Sequence, residues 1–304
     1  MFAILRKELA DILNSSRFFI LFLLAVCLSA LALYSASSGI RSSGDQGFLF
    51  LKLYTTELQN LPQNTQALPL SFLFNYVNFI PLVFIPLLGI LLGFDAVNRE
   101  RNGGTLSRIM SQPVYRDSVI NGKFLASLFI LTVMTAFSVI IIGGYGLKMI
   151  GVPPTAEEIL RIFFYIVFMV IFGSFWISLA ILFSVIFRNL ATSIICSLGL
   201  WLVFSFGIYE IAIAVSSNAN TFQTILSFSP NWLFGNASSM ILYPTARTLG
   251  TLTADQVAYM LPNPLSLGQS LMVIWPYMVG LISLSSICFG ISYIVFMKQE
   301  VRAT

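Results

Sequence analysis

Six long apolar segments constrain the fold of this chain more than any other feature: 18–37, 72–94, 124–147, 162–187, 190–215 and 271–297. A helix of about 20 residues crosses the ~30 Å hydrocarbon core of a bilayer and satisfies its backbone hydrogen bonds internally. Only 9% of the 304 residues are charged, against about 25% in a soluble domain. The sequence therefore predicts an all-α polytopic membrane protein, one domain with six transmembrane helices, and excludes a soluble enzyme.

The placement of Lys and Arg predicts the orientation. With a cytoplasmic N-terminus, eleven of the 16 basic residues lie on the cytoplasmic side and five lie outside. This is the asymmetry of the positive-inside rule. Six spans then put both termini in the cytoplasm of a protein of the cell membrane. Because topology explains the net charge of +4, we expect no nucleic-acid partner.

The segment 1–14 has a helical stripe of apolar residues. Phe2, Leu5 and Leu9 repeat at helical spacing, and polar residues such as Arg6 and Lys7 take the opposite face. Such a helix lies flat among lipid headgroups, so we predict an interfacial amphipathic helix before the first span.

Two long segments fall outside the membrane in this topology, 38–71 and 216–270. The second contains three stretches apolar enough for short helices, 222–226, 232–242 and 254–261. They form either a cap over the outer mouth of the bundle or loops wetted by the exterior.

No catalytic or metal-binding pattern is present in the sequence. The chain has no His, and its three cysteines, Cys27, Cys196 and Cys288, sit far apart in apolar runs. It also lacks the G-x-x-x-x-G-K-[ST] loop that cradles nucleotide phosphates. We therefore expect no cofactor, metal or nucleotide site in this chain, and no enzymatic activity of its own.

The cytoplasmic loop 95–123 is the most informative polar stretch. Gly103 and Gly104 end one helix, Thr105 can cap another, and Pro113 stops it. Leu106, Ile109 and Met110 fall on one face of this predicted 105–112 helix. Its shape suits docking into a groove of a soluble partner. An ordinary cytoplasmic loop is the alternative.

Four short runs resemble a known family. They are Arg6-Lys7-Glu8-Leu9 before the first span, Glu100–Leu106, Pro113–Arg116, and Gly122-Lys123-Phe124-Leu125. Together with six spans, they resemble the permease subunits of type-2 ABC transporters.

The resemblance implies an ATP-driven exporter. Two permease halves, either a second copy or a paralogue, form the pathway, and separate ABC ATPase subunits bind ATP and Mg²⁺. The N-terminal helix and the 105–112 helix would seat on each ATPase, with Gly104 and Thr105 at the start of the latter. Glu100 and Arg108 would be polar partners at that seat, and Leu106, Ile109 and Met110 would fill its groove. Glu100 and Arg108 are equally explained as solvated charges.

Few polar residues fall within the predicted spans. Asn75 and Asn78 share a helix face and either line the pathway or bond to neighbouring helices. Glu210 is the one acidic residue inside an apolar run, and it either lines the route or reaches the outer interface. Gly89 and Gly93 form a small-xxx-small pattern that predicts close helix packing.

Three other functions are alternatives to that of an exporter subunit. A stand-alone secondary transporter needs coupling carboxylates near the membrane midplane, where only Glu210 qualifies. A membrane-embedded enzyme is disfavoured by the absence of His and of paired carboxylates. A non-transporting anchor for an ATPase shares every feature of the cytoplasmic loop.

Overall fold

The computed structural model describes residues 2–42, 80–105, 115–150, 153–216, 218–242 and 266–298. Every regular element in these ranges is a helix, which confirms the all-α prediction for this part of the chain. In chain order they are α1 Phe2–Leu13, α2 Ser16–Ser42, a π-helical segment Ile80–Phe84 leading into α3 Ile85–Gly93, α4 Asn98–Asn102, α5 Arg116–Ile150, α6 Ala156–Ile186, α7 Leu190–Leu202, a second π-helical segment Val203–Gly207, α8 Ile208–Val215, α9 Ala219–Leu226, α10 Pro230–Leu242 and α11 Leu267–Lys298.

Five helical stretches of the described chain are long and apolar enough to cross a membrane: Leu82–Asn102, Arg116–Lys148, Ala156–Ile186, Leu190–Val215 and Leu267–Lys298. A sixth is counted if α1 and α2, which meet at 66°, are taken together as one broken span. The fold is thus that of a multi-pass membrane protein, and the count of six stays a prediction.

Helix α6 forms the centre of the bundle and packs against α3, α5, α10 and α11. Apolar residues occupy nearly its whole circumference, and neighbouring helices bury most of its length, while Ile159, Leu160 and Phe163 near its start are exposed. Tyr165, Phe172 and Trp176 are its largest fully buried apolar side chains. The other long helices surround α6 and leave many large apolar side chains on the outer surface, as expected of a protein solvated by lipid.

Gly89 and Gly93 lie where α3 crosses α6. A Cβ on Gly89 would stand 2.9 Å from Trp176 Cβ, and one on Gly93 would stand 2.8 Å from Ala180 Cβ. Real Cβ atoms do not approach this closely, so the two backbones can touch only because both positions are glycine.

The segment after α8 enters the bundle again. Ser229, just before α10, donates from its Oγ to Phe204 O at 3.0 Å, half-way along a membrane helix. Phe234 of α10 stacks on Phe172 of α6 with ring centroids 4.7 Å apart. Helices α9 and α10 therefore form a hairpin, Ala219–Leu242, whose turn packs against the bundle through Ser229, while Ser227 and Phe228 are exposed.

This placement differs from an external cap or wetted loop. The physical reason is that α10 carries Phe234, Met240, Ile241 and Leu242, and these side chains need cover that water does not give. Two of the three predicted short helices, 222–226 and 232–242, fall within α9 and α10. The third, 254–261, lies outside the described residues, as do 43–79, most of the predicted 105–112 helix, and the chain after Lys298.

The glycine contact between α3 and α6 gives a stability prediction. Changing Gly93 to Ala should lower the melting temperature in detergent, because the added methyl overpacks the crossing and costs about 1–3 kcal/mol. Gly290→Ala is the matched control: a Cβ there meets nothing within 4 Å. We expect this control to be neutral or stabilising, since Ala favours a helix by ~1 kcal/mol over Gly. Equal melting temperatures for the two variants would contradict the packing.

Candidate functional site at the basic end of the bundle

One end of the bundle collects the basic residues, and we call it the basic end. It contains α1, α4, the first turns of α5, the turn between α6 and α7, and the last turn of α11. Arg116 of α5 reaches Met297 O of α11 at 3.5 Å, so the ends of these two helices lie together. The opposite end, with the start of α6 and the end of α8, is called the far end.

The described part of the predicted coupling loop is a tight structure. Glu100 lies on α4, which ends at Asn102 and is followed by Gly103 as its C-cap. Gly104 has a φ of +66°, a left-handed conformation that favours glycine. Thr105 Oγ1 donates to Glu100 O at 3.3 Å and holds the turn closed. The remaining predicted coupling residues, Leu106, Arg108, Ile109 and Met110, lie outside the described residues.

A cluster of four ionic side chains holds this loop against two other elements. Lys123 Nζ of α5 lies 2.9 Å from Glu8 Oε1 of α1 and 3.0 Å from Glu100 Oε1 of α4. Lys7 Nζ of α1 adds a contact of 3.3 Å to the same Glu100 oxygen. We call Lys7, Glu8, Glu100 and Lys123 the ion cluster. It joins α1 to α4 and α5, whose cluster residues lie 93 (Lys7 to Glu100) and 115 (Glu8 to Lys123) positions further along the chain.

Burial makes Lys123 the central member of the ion cluster. Its side chain is 4% exposed, those of Glu8 and Glu100 are 14% and 12% exposed, and that of Lys7 is 49% exposed. The two lysines and two glutamates balance in charge. A buried charge that loses its partner is strongly destabilising, whereas a half-exposed pair contributes little. The integrity of the cluster thus depends on Lys123 far more than on Lys7.

The carboxylates around Lys7 favour the charged form of its ammonium group. Burial alone would lower the pKa of Lys7, but the Glu100, Glu8 and Asp11 carboxylates outweigh it and raise that pKa above its ordinary 10.5. A raised lysine pKa stabilises the folded state fully below the unfolded value, and this contribution is lost only as pH rises through the folded value. Lys7 therefore stays charged at neutral pH.

A glycine contact completes the seat of α1. A Cβ on Gly122 would lie 2.9 Å from Ile4 Cγ2 and 3.4 Å from Ile4 Cβ. Helix α1 thus packs directly on the backbone of α5, next to Lys123. Helix α1 contacts α5 through Ile4 on its apolar side and through Glu8 on its ionic side.

The turn before α4 is anchored to the central helix. The backbone N–H groups of Val97 and Asn98 both donate to Ser184 Oγ of α6, at 3.0 and 3.2 Å. Ser193 Oγ of α7 donates to Phe94 O at 3.1 Å. These bonds satisfy backbone groups that the short helix leaves open. The loop is therefore fixed to α6 and α7 on one side and to α1 and α5 on the other.

The predicted pathway residues lie away from this site. Glu210 is in the first turn of α8 and is exposed. It follows Leu190 by 20 residues, or about 30 Å of helix, which places it near the far end of the span. Asn75 and Asn78 lie outside the described residues, so their role stays a prediction.

Sequence reasoning did not single out Glu8 and Lys123 as site residues. Both lie in the short runs that carry the family resemblance, Arg6–Leu9 and Gly122–Leu125. By sequence alone, Lys123 is one of the basic residues that set the orientation. The sequence does show a Gly followed by a Lys near the start of an apolar helix. That pattern indicates a buried ion pair only once α1 is known to pack on this helix.

The family of this chain is shown by its similarity to a known protein family. The family described as "ABC-2 family transporter protein" matches residues 2–301. The chain belongs to the ABC-2 transporter family. As an ABC-2 member it is an ABC transporter permease with several membrane-spanning helices.

Two individual proteins of this kind are similar to the ABC-2 chain. One, from Pseudomonas aeruginosa, is named "Probable ABC transporter permease protein NosY" and is 27% identical over 233 residues, which cover 74% of this chain and 75% of that protein. A protein of the same name from Stutzerimonas stutzeri is 30% identical over 158 residues, about half of each chain (51% and 46%).

The ion cluster of this ABC-2 permease predicts unequal effects of its two lysines. Lys123→Met should destabilise the protein by about 3–5 kcal/mol, because it leaves two largely buried carboxylates without their main cation. Lys7→Met is the control, with an expected cost below ~1 kcal/mol. Thermal unfolding in detergent measures both.

A rescue variant separates charge from packing. Adding Glu8→Gln and Glu100→Gln to Lys123→Met removes the unpaired charges and should restore most of the lost stability. If Lys123→Met unfolds at the wild-type temperature, the ion cluster does not hold these helices together.

Proposed function

We propose that this chain is the permease subunit of an ATP-driven exporter. Two permease subunits form the pathway through the cell membrane, and separate ATPase subunits beneath them bind ATP and Mg²⁺ and hydrolyse ATP. The ion cluster is the observation that carries this proposal. It ties the N-terminal helix, the loop helix and a membrane helix together at the point where an ATPase would dock.

The basic end is the cytoplasmic end in this proposal. Eleven basic residues fall on that side of the predicted topology, and those described at the basic end include Lys7, Arg99, Arg101 and Arg188. Both termini are then cytoplasmic, and lipid headgroups contact the exposed side of α1, where Phe2 is almost fully exposed.

The contacts of the loop that carries Glu100 form a route from the ATPase to the membrane helices. An ATPase that pushes on the 105–112 helix moves the closed turn at Gly104 and Thr105, and with it Glu100. Glu100 passes the displacement through Lys123 to α5, and Ser184 passes it to α6. No flexible linker intervenes between these described contacts, so a movement at the partner surface is delivered to two membrane helices.

The coupling proposal makes a binding prediction. Leu106→Asp with Ile109→Asp places charge on the apolar face of the predicted 105–112 helix. Burying an unpaired charge in a dry groove costs several kcal/mol, which weakens binding by roughly 100-fold or more. Pull-down of the ATPase and ATP hydrolysis by the complex should both fall, while membrane insertion stays normal.

Ser107→Asp with Ser111→Asp is the matched control, because it adds the same two charges to the polar face of the same predicted helix. This control should retain the ATPase. If the Leu106 and Ile109 variant retains it as well, the helix is not the coupling element. If the wild-type chain captures no ATPase at all, the exporter-subunit proposal is wrong, and a secondary transporter becomes the better account.

A further inference from the structure

The span Leu190–Val215 is interrupted inside the membrane by the π-helical segment Val203–Gly207. Within it the Ile208 N–H donates to Val203 O, one residue further back than an α-helix would place the acceptor. The segment begins 13 residues after Leu190, or about 20 Å of helix, well inside a hydrocarbon core ~30 Å thick. A π-helical turn is one of the few causes of a helix kink and is frequent at functional sites.

The half of this span before the π-helical segment, α7, is held firmly by its neighbours. Helix α7 packs against α3 and α6, and its Ser193 and Ser197 are fully buried. Ser193 Oγ donates to Phe94 O at 3.1 Å near the basic end. In the last turn of α7, Trp201 Nε1 donates to Leu82 O at 3.1 Å. Both ends of α7 are therefore bonded to the chain of the second span.

The bond from Trp201 has a specific reason in the sequence. In an α-helix, Leu82 O would accept from the N–H of the residue four positions later, and that residue is Pro86, which has no N–H. A backbone carbonyl without a donor is costly in the membrane, because water does not reach it there. The Trp201 indole supplies a donor, so α7 is fixed to the second span up to its last turn.

The half of the span after the π-helical segment, α8, is held loosely. Of its eight residues only Ala212 is buried, and Ile211, Ile213 and Val215 are at least half exposed. Its contacts are mainly with the π-helical segment itself and with α9, whose Phe222 ring lies 6.0 Å from that of Tyr209. Packing thus changes abruptly at the π-helical segment.

The π-helical segment itself is anchored from the side. Ser229 Oγ donates to Phe204 O at 3.0 Å, and Asn231 Nδ2 donates to Ser205 Oγ at 2.9 Å. These bonds fix the middle of the segment to the start of α10. A movement of α8 must therefore begin after Ser205.

Gly207 is the last residue of the π-helical segment, between the anchored part and the loose part. The nearest neighbour of a Cβ at this position would be Val203 Cγ1 at 3.6 Å, an ordinary contact. Packing therefore does not require glycine here, in contrast to Gly89 and Gly93. A glycine weakens a helix relative to alanine and allows its backbone dihedral angles to change at low cost.

We propose that Gly207 is a hinge in this span. Helix α8, with the α9 helix that packs on it, swings about Gly207 while α7 stays fixed to α3 and α6. Resting on the proposed function, this swing changes the far end of the permease during the ATP-driven cycle. Hinges of this kind are a few residues at the end of an element that absorb the change in backbone dihedral angles.

Hydrogen exchange of backbone amides tests the hinge in the isolated permease. In detergent, the amides of α8 should exchange faster than those of α7, with the change in rate at Gly207. Residues 156–166 of α6 are the control for simple proximity to the end of the bundle, because they begin a continuous helix at the same far end. If the amides of α8 exchange no faster than those of this control, the hinge is overturned.

An alanine variant tests the role of Gly207. Because Ala favours a regular helix over Gly, Gly207→Ala should slow the exchange of α8 by roughly 5-fold. Gly199→Ala is the matched control: it lies in the same span, on α7, and a Cβ there meets nothing within 4 Å. This control should leave the exchange of α8 unchanged. Neither variant should melt below the wild-type temperature, which separates a stiffened hinge from a folding defect.

The complex with the ATPase tests whether the hinge works in the cycle. Adding Mg-ATP to the wild-type complex should change the exchange of α8 and leave that of α7 unchanged. Gly207→Ala should still capture the ATPase, but the response of α8 to Mg-ATP should be lost and ATP hydrolysis should fall below that of Gly199→Ala. A Gly207→Ala complex that responds and hydrolyses ATP as the wild type does would overturn the proposal.

Failure of the hinge is distinguishable from failure of the proposed function. Should the wild-type chain capture no ATPase, the exporter-subunit proposal is wrong. The change in exchange rate at Gly207 is measured in the isolated chain, so it then still decides whether α8 swings.

Discussion

The contact of Lys123 with Glu8 and Glu100 is the interaction on which the basic end of this permease depends. A single ammonium group, almost fully buried, neutralises carboxylates from two other helices. Gly122 beside it allows α1 to reach the backbone of α5. Without the cation, two carboxylates would be left without their main partner in a site that water hardly reaches, which would weaken the contacts of α1 and α4 with α5.

Helix α6 links this end of the molecule to the other. At its basic end, Ser184 holds the turn before α4. At its far end, Arg161 holds the C-terminal turn of the hairpin and the first turn of α11. The helix between them is continuous, and its middle is buried, with Trp176 and Phe172 fully enclosed. Helix α6 thus connects the loop that carries Glu100 to the α9–α10 hairpin through one continuous element.

The sequence predicted the elements better than it predicted their contacts. Long apolar runs give long membrane helices because lipid leaves the backbone no alternative, and Gly89 and Gly93, with their small-xxx-small spacing, lie where α3 crosses α6. The depth of the hairpin could not be predicted, because 13 apolar and polar residues of α10 are too few to indicate a position in the membrane. The role of Lys123 could not be predicted for another reason: it comes from α1, more than 100 residues earlier, which composition and periodicity cannot pair with it.

In the proposed coupling, α1 and α5 move together as one body, because Ile4 packs on Gly122 and Glu8 pairs with Lys123. A disulfide tests this most directly, because Ile4 Cβ lies 3.4 Å from the position of a Cβ on Gly122, close to the ~3.8 Å spacing of disulfide-linked Cβ atoms. Ile4→Cys with Gly122→Cys, in a background without the native cysteines, is assayed for transport and ATP hydrolysis oxidised and again after reduction. The account predicts equal activity in the two states. An activity lost on oxidation and recovered on reduction would show that α1 slides on α5 during transport, and would contradict it.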